Sequence, residues 1–177
     1  MQRVDIPVEK FLVPVVRAWD RQWFLLTAGD LDTRGYNSMT VGWGGFGVMW
    51  GKALAMIVVR PTRHTWELME KTTGFTLCAF PEEYRKVLSY FGSRSGRDED
   101  KVKATGITPI RSRAVSAPGF QEAELIVECR KTYFDDLEPR HFLDPAIEKN
   151  YPKKDYHRLY FGEIVAVSGT PSWQSKE

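Results

Sequence analysis

Cysteine and histidine are scarce in this chain: 177 residues contain two Cys and three His. Cys78 and Cys129 lie far apart in the apolar runs FTLCAF and LIVECR, which predicts reduced, buried thiols and not a disulfide framework. With His64, His141 and His157 they make no ligand spacing, so no structural metal is expected. Excess charge is missing too. The 25 Lys plus Arg nearly cancel the 23 Asp plus Glu and are interspersed with them, so no basic stripe exists to neutralise a nucleic-acid backbone. Long hydrophobic runs are absent. Near the N-terminus FLVPVV is short, broken by Pro14 and preceded by charges, so neither a secretion signal nor a membrane span is expected, and the expected location is cytoplasmic. There are no repeats or low-complexity segments, no G-x-S-x-G elbow and no P-loop, which leaves serine-hydrolase and nucleotide-hydrolysing readings without local support.

What is present is an apolar, aromatic-rich chain, 42% hydrophobic and 13% Phe, Trp and Tyr, of a length that suits one domain, residues 1–177, with a full core. The stretch GWGGFG, residues 42–47, has the G-x-G-x-x-G spacing of a dinucleotide-binding turn, but its context is wrong. It leads into VMWGKALAMIVV, a turn and then a strand-like run where a helix is required, and no second βαβ half follows. Its glycines predict bends, a bulge or close approach of the backbone to a flat ligand. Strands are predicted at 23–29, 38–50, 53–60, 75–80, 124–134 and 157–167. In the fifth, Leu125, Val127 and Cys129 alternate with Glu128, Arg130 and Thr132, as in a half-buried antiparallel strand. Helices are predicted for TRHTWELMEKT, for EEYRKVLSYFG ending at Gly92, and for DEDKVKAT ending at Gly106. The fold class is therefore mainly β: an antiparallel barrel with peripheral helices. The loops 112–119 and 138–155 read as a lid or a dimer arm, and the tail from Ser168 as frayed.

The segment VVRPTRHTWELME, residues 58–70, carries the strongest local signal. A strand ends at Arg60, Pro61 ends its pairing, Thr62 is placed to cap a helix, and Arg63 and His64 open the first turn. Cations there oppose the helix dipole unless an anion sits among them, and phosphate suits the N–H groups, the hydroxyls of Thr62 and Thr65, and Arg. Just upstream, YNSMTVGW (36–43) offers amide, hydroxyl and thioether groups on a strand expected to pair with the one ending at Arg60 through a hairpin at Gly51 and Lys52. A polar-edged planar ring could lie along it.

N-S-M-T, then R-P-T-R-H-T, then S-G-R-D-x-D-K (Ser95 to Lys101) and a late H-x-x-x-F-G-E-I (His157 to Ile164) occur in an order that resembles the flavin reductase-like, FMN-binding split-barrel family, including its flavoredoxin branch, from about Phe24 to Val167. That resemblance implies a Greek-key split β-barrel with peripheral α-helices and FMN as cofactor. It implies that Asn37, Ser38, Met39 and Thr40 border the isoalloxazine ring, with backbone N–H groups of 39–41 at its edge. Arg60, Thr62, Arg63, His64 and Thr65 would surround the phosphate, and the segment from Ser93 would close over it through Ser95 and Lys101. His157 would be the residue of catalytic interest near a nicotinamide, although here Asp155 and Tyr156 precede it where a Gly-Asp pair is frequent. The implied activity is flavin reduction with NADH or NADPH as donor. The alternative is a flavoredoxin-type electron carrier that takes electrons from a protein partner, and a third reading is a barrel with a non-redox ligand. FMN is expected in preference to FAD or riboflavin. A homodimer is implied as well, and six Trp, ten Phe and seven Tyr agree with an aromatic interface.

Overall fold

The computed structural model describes residues 2–176. Strands β1 (Val4–Asp5), β2 (Phe24–Asp30), β3 (Gly35–Val41), β4 (Gly44–Met49), β5 (Lys52–Val59), β6 (Gly74–Ala79), β9 (Leu125–Asp136) and β10 (Arg158–Gly169) form one antiparallel sheet, with the two-stranded β7 (Pro109–Ile110) and β8 (Gly119–Phe120) beside it. The order is β3-β2-β6-β9-β10-β5-β4, and β1 pairs with the end of β10. The long strands β9 and β10 change register between Phe161 and Gly162 and again between Ile164 and Ala166. Each shift is a bulge that bends the strands and lets the sheet curl into a barrel.

Period-2 alternation divides the apolar residues between two cores. Phe24, Leu26 and Ala28 of β2 face the barrel interior with Leu77, Val127, Ile57 and Tyr160. Their neighbour Leu25 points the other way, to a second cluster with Cys78, Ile126, Leu88 and Phe91. Helix α1 (Val15–Arg17) runs into a π turn, Ala18–Gln22, that brings Trp19 to the interior. Helix α2 (His64–Lys71) follows β5, α3 (Arg85–Ser93) covers the outer cluster, and α4 (Lys101–Thr105) is capped by Asp100, whose side chain accepts from the Lys103 N–H. Among the described residues no helix is long and apolar enough to cross a membrane.

Several expectations require correction. The single strand expected over 38–50 is two: β3 pairs with β2, while β4 forms the hairpin with β5. Its turn is Trp50–Gly51, both at positive φ (55° and 68°), with Met49 opposite Lys52. Helix α3 runs one residue past Gly92, to Ser93. On β9 the outward face is not polar throughout, because Ile126 and Glu128 are buried, Glu128 beneath the 112–119 loop. The Glu128 carboxylate accepts from the Arg113 and Ala114 N–H groups, and Thr76 Oγ1 donates to Pro118 O, so that loop is pinned to the sheet and is no lid. The tail is not frayed through Lys176: β10 reaches Gly169, Trp173 is buried, and Ser175 N donates to Lys10 O. Glu177 lies outside the described residues. Both cysteines are free and fully buried, as expected.

Within the glycine run, Gly44 has a packing cause. A Cβ on Gly44 would stand 2.5 Å from both Met56 O and the Trp19 indole, so the residue is glycine because Trp19 packs on the β4 backbone.

Candidate functional site

Arg60, Pro61, Thr62 and Arg63 lead from β5 into α2. The cap position falls on Arg63 and not on Thr62: Arg63 is extended (φ −82°, ψ 136°), and no side chain caps the helix. The His64 and Thr65 N–H groups, at positions that a helix start leaves without intrahelical partners, therefore lie beside a cation, while Trp66 N donates to Arg63 O at 3.0 Å. The Arg63 guanidinium reaches across to the end of α3, donating to Gly92 O at 2.8 Å. From the other side Lys101, only 4% exposed, donates from Nζ to Ser38 O (2.6 Å), Phe91 O (3.3 Å) and Arg94 O (3.3 Å). Neither cation forms an ion pair with a carboxylate among the described residues. Burial, then Arg63, pulls the Lys101 ammonium down to about 8 against the opposing pull of Glu99, and burial followed by Arg60 lowers Arg63.

These two residues, with Asn37, Met39, Thr65 and Ser95, line a hollow of about 170 Å³. Asn37 Nδ2 donates to Thr65 Oγ1 at 2.7 Å. Gly96 closes the wall behind it, where a Cβ would stand 2.0 Å from Asn37 Oδ1. His64 Nδ1 is sealed from solvent without a hydrogen-bond partner, with Glu67 Oε2 3.5 Å away. Glu67 is itself neutralised by Arg97, whose Nε donates to it at 3.1 Å and whose Nη1 donates to Thr62 O. The hollow therefore keeps a positive charge that nothing in it offsets.

A second hollow, of about 200 Å³, adjoins the first at Met39 and is lined by Val41, Trp43, Val58, Arg60 and His157. Its charges are balanced. Arg60 pairs with Asp155 at 2.8 Å, donates to Asn150 O at 2.8 Å, and lies over the Tyr151 ring, 4.9 Å from its centroid. His157, 8% exposed, has Nδ1 2.8 Å from the Tyr151 hydroxyl and its ring centroid 5.1 Å from that of Trp43. Burial, reinforced by Arg60 and opposed by Asp155, lowers its pKa to about 4. Trp43 is 51% exposed.

The structure thus gathers Asn37, Met39, Thr62, Arg63, His64, Thr65, Ser95 and Lys101 around one hollow. Arg60, expected among the phosphate contacts, lies at the other hollow with His157. Ser38 and Thr40 spend their hydroxyls internally, Ser38 with Thr27 at 2.7 Å and Thr40 on Leu88 O. Ser38 offers the site only its carbonyl, while Thr40 still lines the second hollow. Sequence reasoning gave Trp43, Tyr151 and Asp155 no role at the site. The one signal for Tyr151 and Asp155 was the aromatic and acidic content of the 138–155 segment. A larger cavity, about 680 Å³, lies apart from the site between Arg17, Phe80, Arg85 and Trp173, and there Gln22 already bonds Glu124.

A family model for the flavin reductase like domain matches residues 17–175. The chain belongs to the flavin reductase-like family. Among solved structures, similar folds include flavoredoxin of Desulfovibrio vulgaris (Miyazaki F), with TM-score 0.67 and 22% identity over 91% of this chain and 75% of that one. An FMN-binding domain of a flavin reductases-like enzyme from Shewanella baltica OS155 has TM-score 0.68 and 15% identity, covering 95% and 77% of the two chains. The NADH:FAD oxidoreductase SgcE6 of Streptomyces globisporus C-1027 has TM-score 0.63 and 14% identity, covering 85% and 76%. A search of curated proteins finds no match. The antiparallel sheet with its few helices is the split barrel of this flavin reductase-like family.

Proposed function

We propose that this flavin reductase-like chain binds FMN and acts as an NAD(P)H-dependent flavin reductase. The observation that carries the reading is the adjoining pair of hollows, one with two cations lacking carboxylate partners and one flat, apolar-walled and charge-balanced. Together the two fall at the lower end of the range of about 300–1,000 Å³ for small-molecule sites. The residues present fit the cofactor: Arg63, Lys101 and the α2 N-terminus suit a phosphate monoester, and Met39, Trp43 and Val58 suit the body of a planar ring. Bound there, FMN would supply the hydride-accepting chemistry. Arg63 and Lys101 would anchor the phosphate, Asn37 and Thr65 would orient the ribityl end, and His157 and Trp43 would border the face on which a nicotinamide lies. No side-chain acid is demanded of the protein, which agrees with a His157 that stays neutral above its lowered pKa.

A second copy of the chain is the partner we assign. Trp43 and Trp50 stand exposed at the two ends of the sheet-edge strand β4, and Trp50 lies 6.3 Å from Tyr133 and 6.1 Å from Phe161 between ring centroids. Light scattering of the flavin-loaded protein over a wide concentration range should report a dimer, and a monomer with stoichiometric FMN would overturn that assignment.

The flavoredoxin-type carrier is the competing reading, favoured by the exposed Trp43 at the mouth of the second hollow, which could equally face a docked protein. Anaerobic titration with NADH and NADPH, followed at the flavin band, separates the two. Bleaching at stoichiometric nicotinamide supports the reductase, persistence of the oxidised band with both donors supports the carrier, and a protein that binds no flavin sinks both.

A further inference from the structure

Arg60 and Tyr151 belong to parts of the chain 91 positions apart, yet they meet over His157. Arg60, at the end of β5, holds the 138–155 arm at two points, Asp155 and the Asn150 carbonyl, and its guanidinium covers the Tyr151 ring. Phe142 stacks on the same ring with centroids 6.0 Å apart and planes 15° from parallel. Tyr151 is only 3% exposed, and among the described residues the one hydrogen-bond partner of its hydroxyl is His157 Nδ1, at 2.8 Å. That solitary contact decides the direction of the bond. If Nδ1 carried the proton and donated, the phenolic hydrogen would be left buried without an acceptor, and the desolvation of that group would go uncompensated. With the phenol donating to a bare Nδ1, every polar atom of the pair is satisfied and the proton of the neutral imidazole resides on Nε2. Nε2 has no protein partner, and it is not among the buried, unsatisfied atoms of the described residues, so it opens to the hollow that His157 lines.

We propose that Tyr151, clamped by Arg60, is a positioning residue that fixes His157 as its neutral Nε2–H tautomer, so that His157 presents a permanent N–H donor to the second hollow. The inference rests on the proposed flavin site only for what the donor faces; the tautomer itself is a property of the empty protein. The charged and titratable groups that face His157 are Arg60 and Asp155, which pair with each other, and Tyr151, whose hydroxyl burial holds above its ordinary range. With the imidazole lowered to about 4, Asp155 lowered and the Tyr151 phenol raised, none of these three groups changes charge near neutrality. In a flavin-loaded protein such a donor would hydrogen-bond a carbonyl or ring nitrogen at the edge of a planar ligand and would not deliver a proton.

The test is the nitrogen spectrum of 15N-histidine-labelled, flavin-free protein, with the His157 signals identified by their loss in His157→Gln. The expected result is a protonated, pyrrole-like Nε2 and a pyridine-like Nδ1, unchanged from pH about 5.5 to 8, across the ordinary imidazole titration range. In Tyr151→Phe the tautomers should mix and the ring should begin to titrate nearer its ordinary range. Should that variant not fold, Arg60→Lys, which loosens the clamp and keeps the phenol, should mix them in part. An Nδ1–H tautomer in the wild type, or an unchanged tautomer in the folded variant, overturns the proposal. FMN added to the wild type should shift Nε2 more than Nδ1. Absence of FMN binding with the tautomer as expected would refute the flavin reading and leave this inference standing.

Discussion

The two hollows that meet at Met39 are built from the same strand, β3, yet they treat charge in opposite ways. At the α2 end, Arg63 and Lys101 are held by main-chain carbonyls alone, so their positive charge stays available. At the other end Arg60 is cancelled by Asp155, and His157 is kept neutral by burial. Carbonyl partners orient a cation without neutralising it, whereas a carboxylate partner removes its field. On the proposed reading, the difference would separate a place for an anion from a place for a flat, uncharged body, with two arginines three residues apart doing different work.

The largest effect belongs to the balanced end. His157 folds with a pKa of about 4, against 6.5 for the exposed side chain, so the unfolded chain binds its proton first. The resulting stability is fully present above pH 6.5 and is lost as pH falls through 4. Urea unfolding at pH 7 and at pH 4 should cost the wild type about 3 kcal/mol more than His157→Gln, at about 1.4 kcal/mol per pH unit. Equal losses would show that His157 is readily protonated in the fold.

At the charged end, Arg63→Ala should weaken FMN binding by about 1–3 kcal/mol and leave riboflavin binding unchanged, as read by quenching of flavin fluorescence. If Arg63→Ala weakens both ligands equally, the residue holds α3 and not the phosphate.

Lys101 should give the same end a pH dependence. Its ammonium loses charge near pH 8 in the flavin-free protein, and a bound phosphate would raise that value. FMN affinity should therefore be full below pH 8 and fall above it by at most about tenfold per pH unit. Stability of the flavin-free protein should run the other way, rising from pH 8 towards 10.5, because there the unfolded chain holds the lysine proton that the folded one has released. Lys101→Met should flatten both profiles. The smallest effect is expected for Trp43→Ala, about 0.5–1.5 kcal/mol of flavin affinity from a half-exposed ring, equal for FMN and riboflavin.

Much of this contrast was legible in the residues. The six apolar runs fall on the seven long strands of the sheet, one run spanning both β3 and β4, and the cations at the start of α2 marked its charged end. What was not legible depended on distant pairing. The apolar and glycine run through Gly42 and Trp43 carries no turn signal, so nothing local shows that β3 and β4 pair with different neighbours. Glu128 read as outward-facing, yet it is buried, because the 112–119 loop folds back and donates main-chain N–H groups to its carboxylate. Arg60 and Arg63 carry the same charge in one short segment, and only Asp155, brought back by the 138–155 arm, tells them apart. The tail read as frayed because Ser, Thr and Pro prevail there, yet Trp173 anchors it in the barrel core.

The central claim is that the uncompensated cations at the α2 end hold a phosphate. Side-by-side titration of flavin-free protein with FMN and riboflavin at pH 7 tests it most directly, since the two ligands differ only in that group. FMN should bind at least about tenfold tighter, the factor equivalent to about 1.4 kcal/mol, and Arg63→Ala should remove most of the difference. Equal affinity for the two ligands in the wild type would contradict the account.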